Sequence, residues 1–126
     1  MKKLLLLSAG IIVGVGASQA VVQLRAATGP MVYNVYEANI TDEAAYTKAL
    51  PEVEKVIKET GGQRVAGGFN KSKLMRGKPE LGNRFVIVSW PDMAAYQKAQ
   101  DDGIKAWVEK NAPNAREVIT QGVEAK

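Results

Sequence analysis

The chain has 126 residues, 46% of them hydrophobic and 24% charged, the proportions of one small globular domain and not of a disordered chain. Its formal charge of +4 falls to +2 (15 basic against 13 acidic residues) once Lys2 and Lys3 of the leader are set aside, so the charge makes no case for a nucleic-acid partner. Neither Cys nor His occurs, which excludes disulfides, thiolate nucleophiles, Cys-based metal sites, the usual imidazole base and the usual zinc or haem ligands.

Lys2-Lys3 is followed by a twelve-residue apolar run, Leu4 to Val15, and then by Ser18-Gln19-Ala20, with small residues where a signal peptidase reads. This pattern predicts a signal peptide over residues 1–20, cleaved before Val21, and a periplasmic or secreted protein. An uncleaved anchor reaching Leu24 is the alternative, and only that reading puts the protein on a membrane. Residues 21–30 read as a tether and 31–126 as the folded domain.

Within the domain the hydrophobic periodicity predicts β-α-β-β-α-β. Val32 to Ile40 is a strand patterned by Tyr33, Val35 and Tyr36. Thr41 is expected to cap a helix whose stripe runs through Tyr46, Ala49, Leu50, Val53, Val56 and Ile57, with Pro51 breaking it in two and Gly61-Gly62 ending it. Gln63 to Phe69 is a second strand, with a bulge or close backbone approach at Gly67-Gly68. Asn70 to Asn83 is a polar connection whose Lys71, Lys73, Arg76 and Lys78 read as a solvated loop. Phe85 to Ser89 is a third strand, apolar on both faces. Asp92 caps a second helix, which Gly103 interrupts and Asn111-Ala112-Pro113 stops. Arg116 to Val123 alternates as a final strand.

The strand Tyr33-Asn34-Val35-Tyr36-Glu37 leads into Ile40-Thr41-Asp42 and Ala45-Tyr46. Gly61-Gly62, Gly67-Gly68, Arg84 before an apolar strand, and Gly122-Val123-Glu124 complete the series. In this order they resemble the domain-of-unknown-function 1330 family, over Val32 to Glu124. The resemblance implies an α+β, ferredoxin-like domain that pairs through its sheets into a dimeric α+β barrel. The chain departs from the family at Ala66, where members commonly carry an Arg before the second glycine pair.

Glu37 interrupts an apolar strand on the face of Tyr33 and Val35, and antiparallel pairing of the first and third strands is expected to bring it near Arg84. The pair reads either as a pocket carboxylate with a cationic partner or as an ion pair at the rim of the sheet. Trp90, at the exit of the third strand, lines a pocket or an interface, and Tyr33 offers a hydroxyl for orientation. The expected ligand residues are therefore Tyr33, Glu37, Arg84 and Trp90, between the two sheets of a homodimer. No metal or cofactor is expected. The function expected is binding of a small molecule in the barrel. A cofactor-independent monooxygenase- or isomerase-like enzyme and a membrane-tethered interaction module are the alternatives.

Overall fold

The computed structural model describes residues 30–122, so the expected signal peptide, nearly all of the expected tether and the closing Val123-Glu124 lie outside the described residues. The elements run β1 (Val32–Ala38), α1 (Glu43–Glu59), β2 (Gln63–Phe69), β3 (Arg84–Trp90), α2 (Met93–Ala99), a π turn (Gln100–Ile104), α3 (Lys105–Asn111) and β4 (Arg116–Gln121). The strands form one antiparallel sheet in the order β2-β3-β1-β4. This is the α+β, ferredoxin-like arrangement expected from the element order. Among the described residues no helix is long and apolar enough to cross a membrane.

Strand alternation sorts the side chains between two faces. Val32, Asn34, Tyr36 and Ala38 of β1 are buried, while Tyr33, Val35 and Glu37 are half-buried on the opposite face. Tyr36 and Ala38 of this buried set meet Tyr46 and Val53 of α1 and Ile104 and Trp107 from the second helical stretch in one core. The Trp107 indole N–H donates to the Ala49 carbonyl at 3.0 Å, which ties α3 to α1 while the ring fills the core. Full burial of a side chain of this size contributes about 2–3 kcal/mol.

Two local expectations need correction. The N-cap of α1 is Asp42, not Thr41: the Asp42 carboxylate accepts from the Ala45 N–H at 3.0 Å. Pro51 does not break α1, which runs through it for 17 residues. Pro51 and Thr47, whose carbonyl loses its helical donor, are both exposed, so water can take that carbonyl. The irregularity in β2 falls between Arg64 and Ala66, just before the glycine pair. The close backbone approach does occur at Gly67, as expected. Gly103 interrupts the second helix with φ +150°, inside the π turn. Asp92 caps α2 by accepting from the Ala95 N–H at 2.9 Å.

The two ends of the sheet's central pair are tied by Asn83. Its amide accepts from the Ile40 N–H and donates to the Ile40 carbonyl, both at 2.8 Å. This clamp holds the start of β3 beside the end of β1 and so positions Arg84.

Candidate functional site

The register of β1 and β3 decides where the expected site residues go. Ala38 pairs with Arg84, Glu37 with Phe85 and Val32 with Trp90. A one-residue offset flips a side chain to the other face, so Glu37 and Arg84 point away from each other across the sheet. The expected Glu37–Arg84 pair does not form. Arg84 and Trp90 share the helix-covered face, and Tyr33 and Glu37 share the open one.

Glu37 instead accepts from the Gly82 N–H and, at 2.7 Å, from Arg116 Nε of β4. The Gly82 N–H, and after it Arg116, hold its carboxyl below the usual carboxylate range. Only 13% of the Glu37 side chain is exposed, but 58% of Arg116 is, so solvent screening trims the Arg116 share. A lowered carboxyl adds stability that is present above its ordinary value of about 4.3 and lost as pH falls through the lowered folded value. Glu37→Gln is therefore expected to lose about 1–2 kcal/mol at pH 7 and less at pH 3. Urea unfolding at both pH values checks this, and an equal loss at both would rule out the ionised pair. Tyr33 places its hydroxyl 4.0 Å from Met31 Sδ on the same face.

On the other face a cavity of about 60 Å³ lies between the sheet and the helices, with room for a small polar group or a few waters. Val53 and Ile57 of α1, Val86 and Val88 of β3, and Trp107 and Val108 of α3 form its apolar walls. Trp90, 1% exposed, is a further wall, with its indole N–H donated to Thr60 Oγ1 at 3.1 Å and its ring edge-to-face with Tyr96. The polar groups of the lining come from all four strands and from α1, and most were not anticipated from sequence.

Arg84 is the centre of this polar set. It is 5% exposed and forms no ion pair among the described residues, and its Nε makes no hydrogen bond. Its guanidinium carbon lies 4.8 Å from the Phe69 ring centroid and 5.4 Å from that of Tyr46. Arg64 of β2 lines the same cavity and is paired to Glu54 of α1. Burial, and after it the charge of Arg84, pull the Arg64 guanidinium below its ordinary value, so two cations share one field. The Tyr36 and Tyr46 hydroxyls lie 3.0 Å apart. Burial, reinforced by Tyr46, pushes the Tyr36 phenol well above its usual range.

Asn34 and Glu117 complete the lining. Partial burial raises the Glu117 carboxyl above the usual range although the residue as a whole is exposed, and the Asn34 amide partly opposes the shift. Asn34 Nδ2 nonetheless makes no well-formed hydrogen bond. Three buried side-chain nitrogens among the described residues lack a partner, and two of them, Asn34 Nδ2 and Arg84 Nε, belong to this cavity; the third is Gln100 Nε2 in the π turn. Native interiors pair nearly all such atoms, so their coincidence here marks a built polar site. No group of three or more His, Cys, Asp or Glu among the described residues could hold a metal ion.

A second, polar hollow of about 420 Å³ opens at the connection between β2 and β3, beside Lys73, Asn70 and Glu80. Lys71, Lys73, Arg76 and Lys78 of that connection are all exposed, as a solvated loop requires.

The fold has solved counterparts. The crystal structure of the RPA0582 protein of unknown function from Rhodopseudomonas palustris is 16% identical, aligns over 85% of this chain and 94% of its own, and superposes with a TM-score of 0.59. The crystal structure of methylated RPA0582 protein is 18% identical over 84% of this chain and 91% of its own, with a TM-score of 0.57. At these identities the likeness establishes the fold alone. No curated protein matches the sequence significantly. The sequence profile of the domain of unknown function DUF1330 matches residues 31–119, and the chain belongs to that family.

Proposed function

We propose that this protein binds a small molecule in the cavity between its sheet and its helices, with Arg84 holding the ligand, and that it does so as an exported homodimer. The observation that carries the reading is the buried guanidinium of Arg84 without an ion-pair partner among the described residues. Removing such a charge from water costs several kcal/mol, whereas the two ring contacts return about 0.5–2 kcal/mol each. An anionic group on a ligand supplies what the fold does not.

The dimer reading rests on the open face of the sheet. The helices cover one face only, and the other carries the apolar side chains Val35, Phe85 and Ile87, with Val118 of β4 62% exposed. A second copy is the natural cover for a face of this kind. Export rests on the basic, apolar and small-residue sequence of the leader. One observation favours the alternative of a cofactor-independent enzyme: the Glu117 carboxyl lines the same cavity while the residue stays open to water, so it can exchange a proton between the two.

Native mass spectrometry of protein purified from the periplasm tests these readings together. The expected species is twice the mature chain with a non-covalent adduct, and the adduct is absent from Arg84→Met. A monomer without adduct would contradict the reading. An adduct converted to a new mass over time would favour the enzyme.

A further inference from the structure

The charge of the domain is concentrated in the connection between β2 and β3. Residues 30–122 hold 13 basic and 12 acidic residues, and without Lys71, Lys73, Arg76 and Lys78 the balance is 9 against 12. These four cations fall within eight residues that contain no acid. All four are exposed, and none forms an ion pair among the described residues. The domain is thus polarised, with a cationic loop on a net anionic body. Leu74-Met75 stands in the middle of the run, with two cations on either side. Met75 is 82% exposed, the highest value among the exposed large hydrophobic residues described. The base of the loop is pinned, since the Asn70 N–H donates to the Asn83 carbonyl at 2.8 Å. Its far part stands clear of the domain at Gly77, where a Cβ would meet nothing within 4 Å.

We propose that this loop docks the protein on an anionic lipid surface, with its four cations among the headgroups and Met75 inserted below them. A solvated loop gains nothing from a methionine held in water at its tip. A bilayer offers both layers that the loop matches, negative charge outside and hydrocarbon about 5–10 Å further in. The lysine and arginine stems lie along the boundary while their heads stay in water. A nucleic acid offers phosphates but no hydrocarbon for Met75, and residues 70–83 include no aromatic ring on which a base could stack. The anionic body does not oppose the approach, because charges further from the surface than about 8 Å are screened at physiological salt. Neither Arg84 nor a ligand of the cavity enters this inference, so it stands or falls apart from the reading above.

Co-sedimentation of the protein purified from the periplasm with lipid vesicles tests it. Vesicles of phosphatidylglycerol mixed with phosphatidylcholine are expected to carry the protein down, and vesicles of phosphatidylcholine alone are not. Each cation removed is expected to weaken binding about fivefold, so Lys71→Gln with Lys73→Gln lowers it about twenty-five-fold. The charge-preserving pair Lys71→Arg with Lys73→Arg should bind as the wild type does. Met75→Ser is expected to weaken binding by about fivefold or more through the lost apolar contact. All these side chains are exposed, so unchanged melting temperatures certify that the variants are folded.

Equal binding to the two kinds of vesicle, or binding to neither, would overturn the proposal. Undiminished binding by the double glutamine variant would overturn it as well, since the contact would then belong to another part of the chain. Wild-type binding by Met75→Ser would overturn the insertion of the tip. If Met75→Ser instead turned a dimer into a monomer, the tip would belong to the contact between copies and the lipid assignment would fall. Displacement of the protein from the vesicles by a DNA duplex at equal phosphate concentration would assign the loop to a nucleic acid and overturn it too.

Discussion

Gly67→Ala is expected to destabilise the domain by about 3 kcal/mol or more, lowering the melting temperature by about 10–20 °C. Gly67 has φ +101°, a conformation that only glycine adopts without strain. A Cβ at this position would also strike the Phe85 carbonyl oxygen and lie 2.8 Å from Val86 Cα and 2.9 Å from the Phe85 carbonyl carbon. These are backbone atoms of the neighbouring strand, so the clash is relieved only by moving β2 away from β3. Gly77 separates the two effects: its φ is +100°, but a Cβ there would meet nothing within 4 Å. Gly77→Ala should therefore cost only the conformational strain, about 1 kcal/mol. Thermal melts of the two variants side by side check the account, and equal losses would show that the close approach of β2 to β3 carries no weight.

The order of the elements was readable in the sequence because each keeps its own hydrophobic period. The stripe from Tyr46 to Ile57 and the alternation in β1 leave little choice of type or sequence. Gly103 and Asp92 were readable too, since a left-handed conformation and an N-cap each have a small set of suitable residues. Pro51 misled because the cost of a proline depends on which side of the helix it faces, and here it faces water. Thr41 and Asp42 are both good caps, and only the backbone decides between neighbours of that kind.

The site was less readable, and the reason is register. A shift of a single residue in the pairing of β1 and β3 separates a Glu37–Arg84 pair from the observed Glu37–Arg116 pair. Turn geometry and the Asn83 clamp set that shift, and neither has a periodic signature. Asn34, Tyr36 and Glu117 occupy strand positions like any others in the sequence. Their inward direction becomes visible only once the burial of Val32 and Ala38 orients β1 and the pairing orients β4. A polar residue on the same strand parity as the core would have been the signal to look for.

The central claim is that Arg84 is kept for a ligand and not for the fold. A structural arginine repays its burial through its contacts, and its loss destabilises. A functional one does the reverse: Arg84→Met keeps an unbranched apolar stem, two heavy atoms shorter, and gives up the guanidinium stacked near the Tyr46 and Phe69 rings, while removing a charge that has no counter-ion among the described residues. Replacing buried charges by apolar groups of similar volume is neutral to stabilising by about 1–4 kcal/mol. The two cation–π contacts, at about 0.5–2 kcal/mol each, reduce that gain, and methionine sulfur against an aromatic edge recovers part of the reduction. Relief of the repulsion felt by Arg64 works in the same direction as the gain. Arg84→Met is accordingly expected to be more stable than the wild type by about 1–2 kcal/mol, and to bind no ligand in the cavity.

Thermal unfolding of wild type and Arg84→Met, together with native mass spectrometry of both, reads both halves of the claim at once. The account predicts that the variant melts about 5–15 °C above the wild type and that only the wild type carries the non-covalent adduct. A variant that melts below the wild type, or one that carries the adduct as the wild type does, would contradict it.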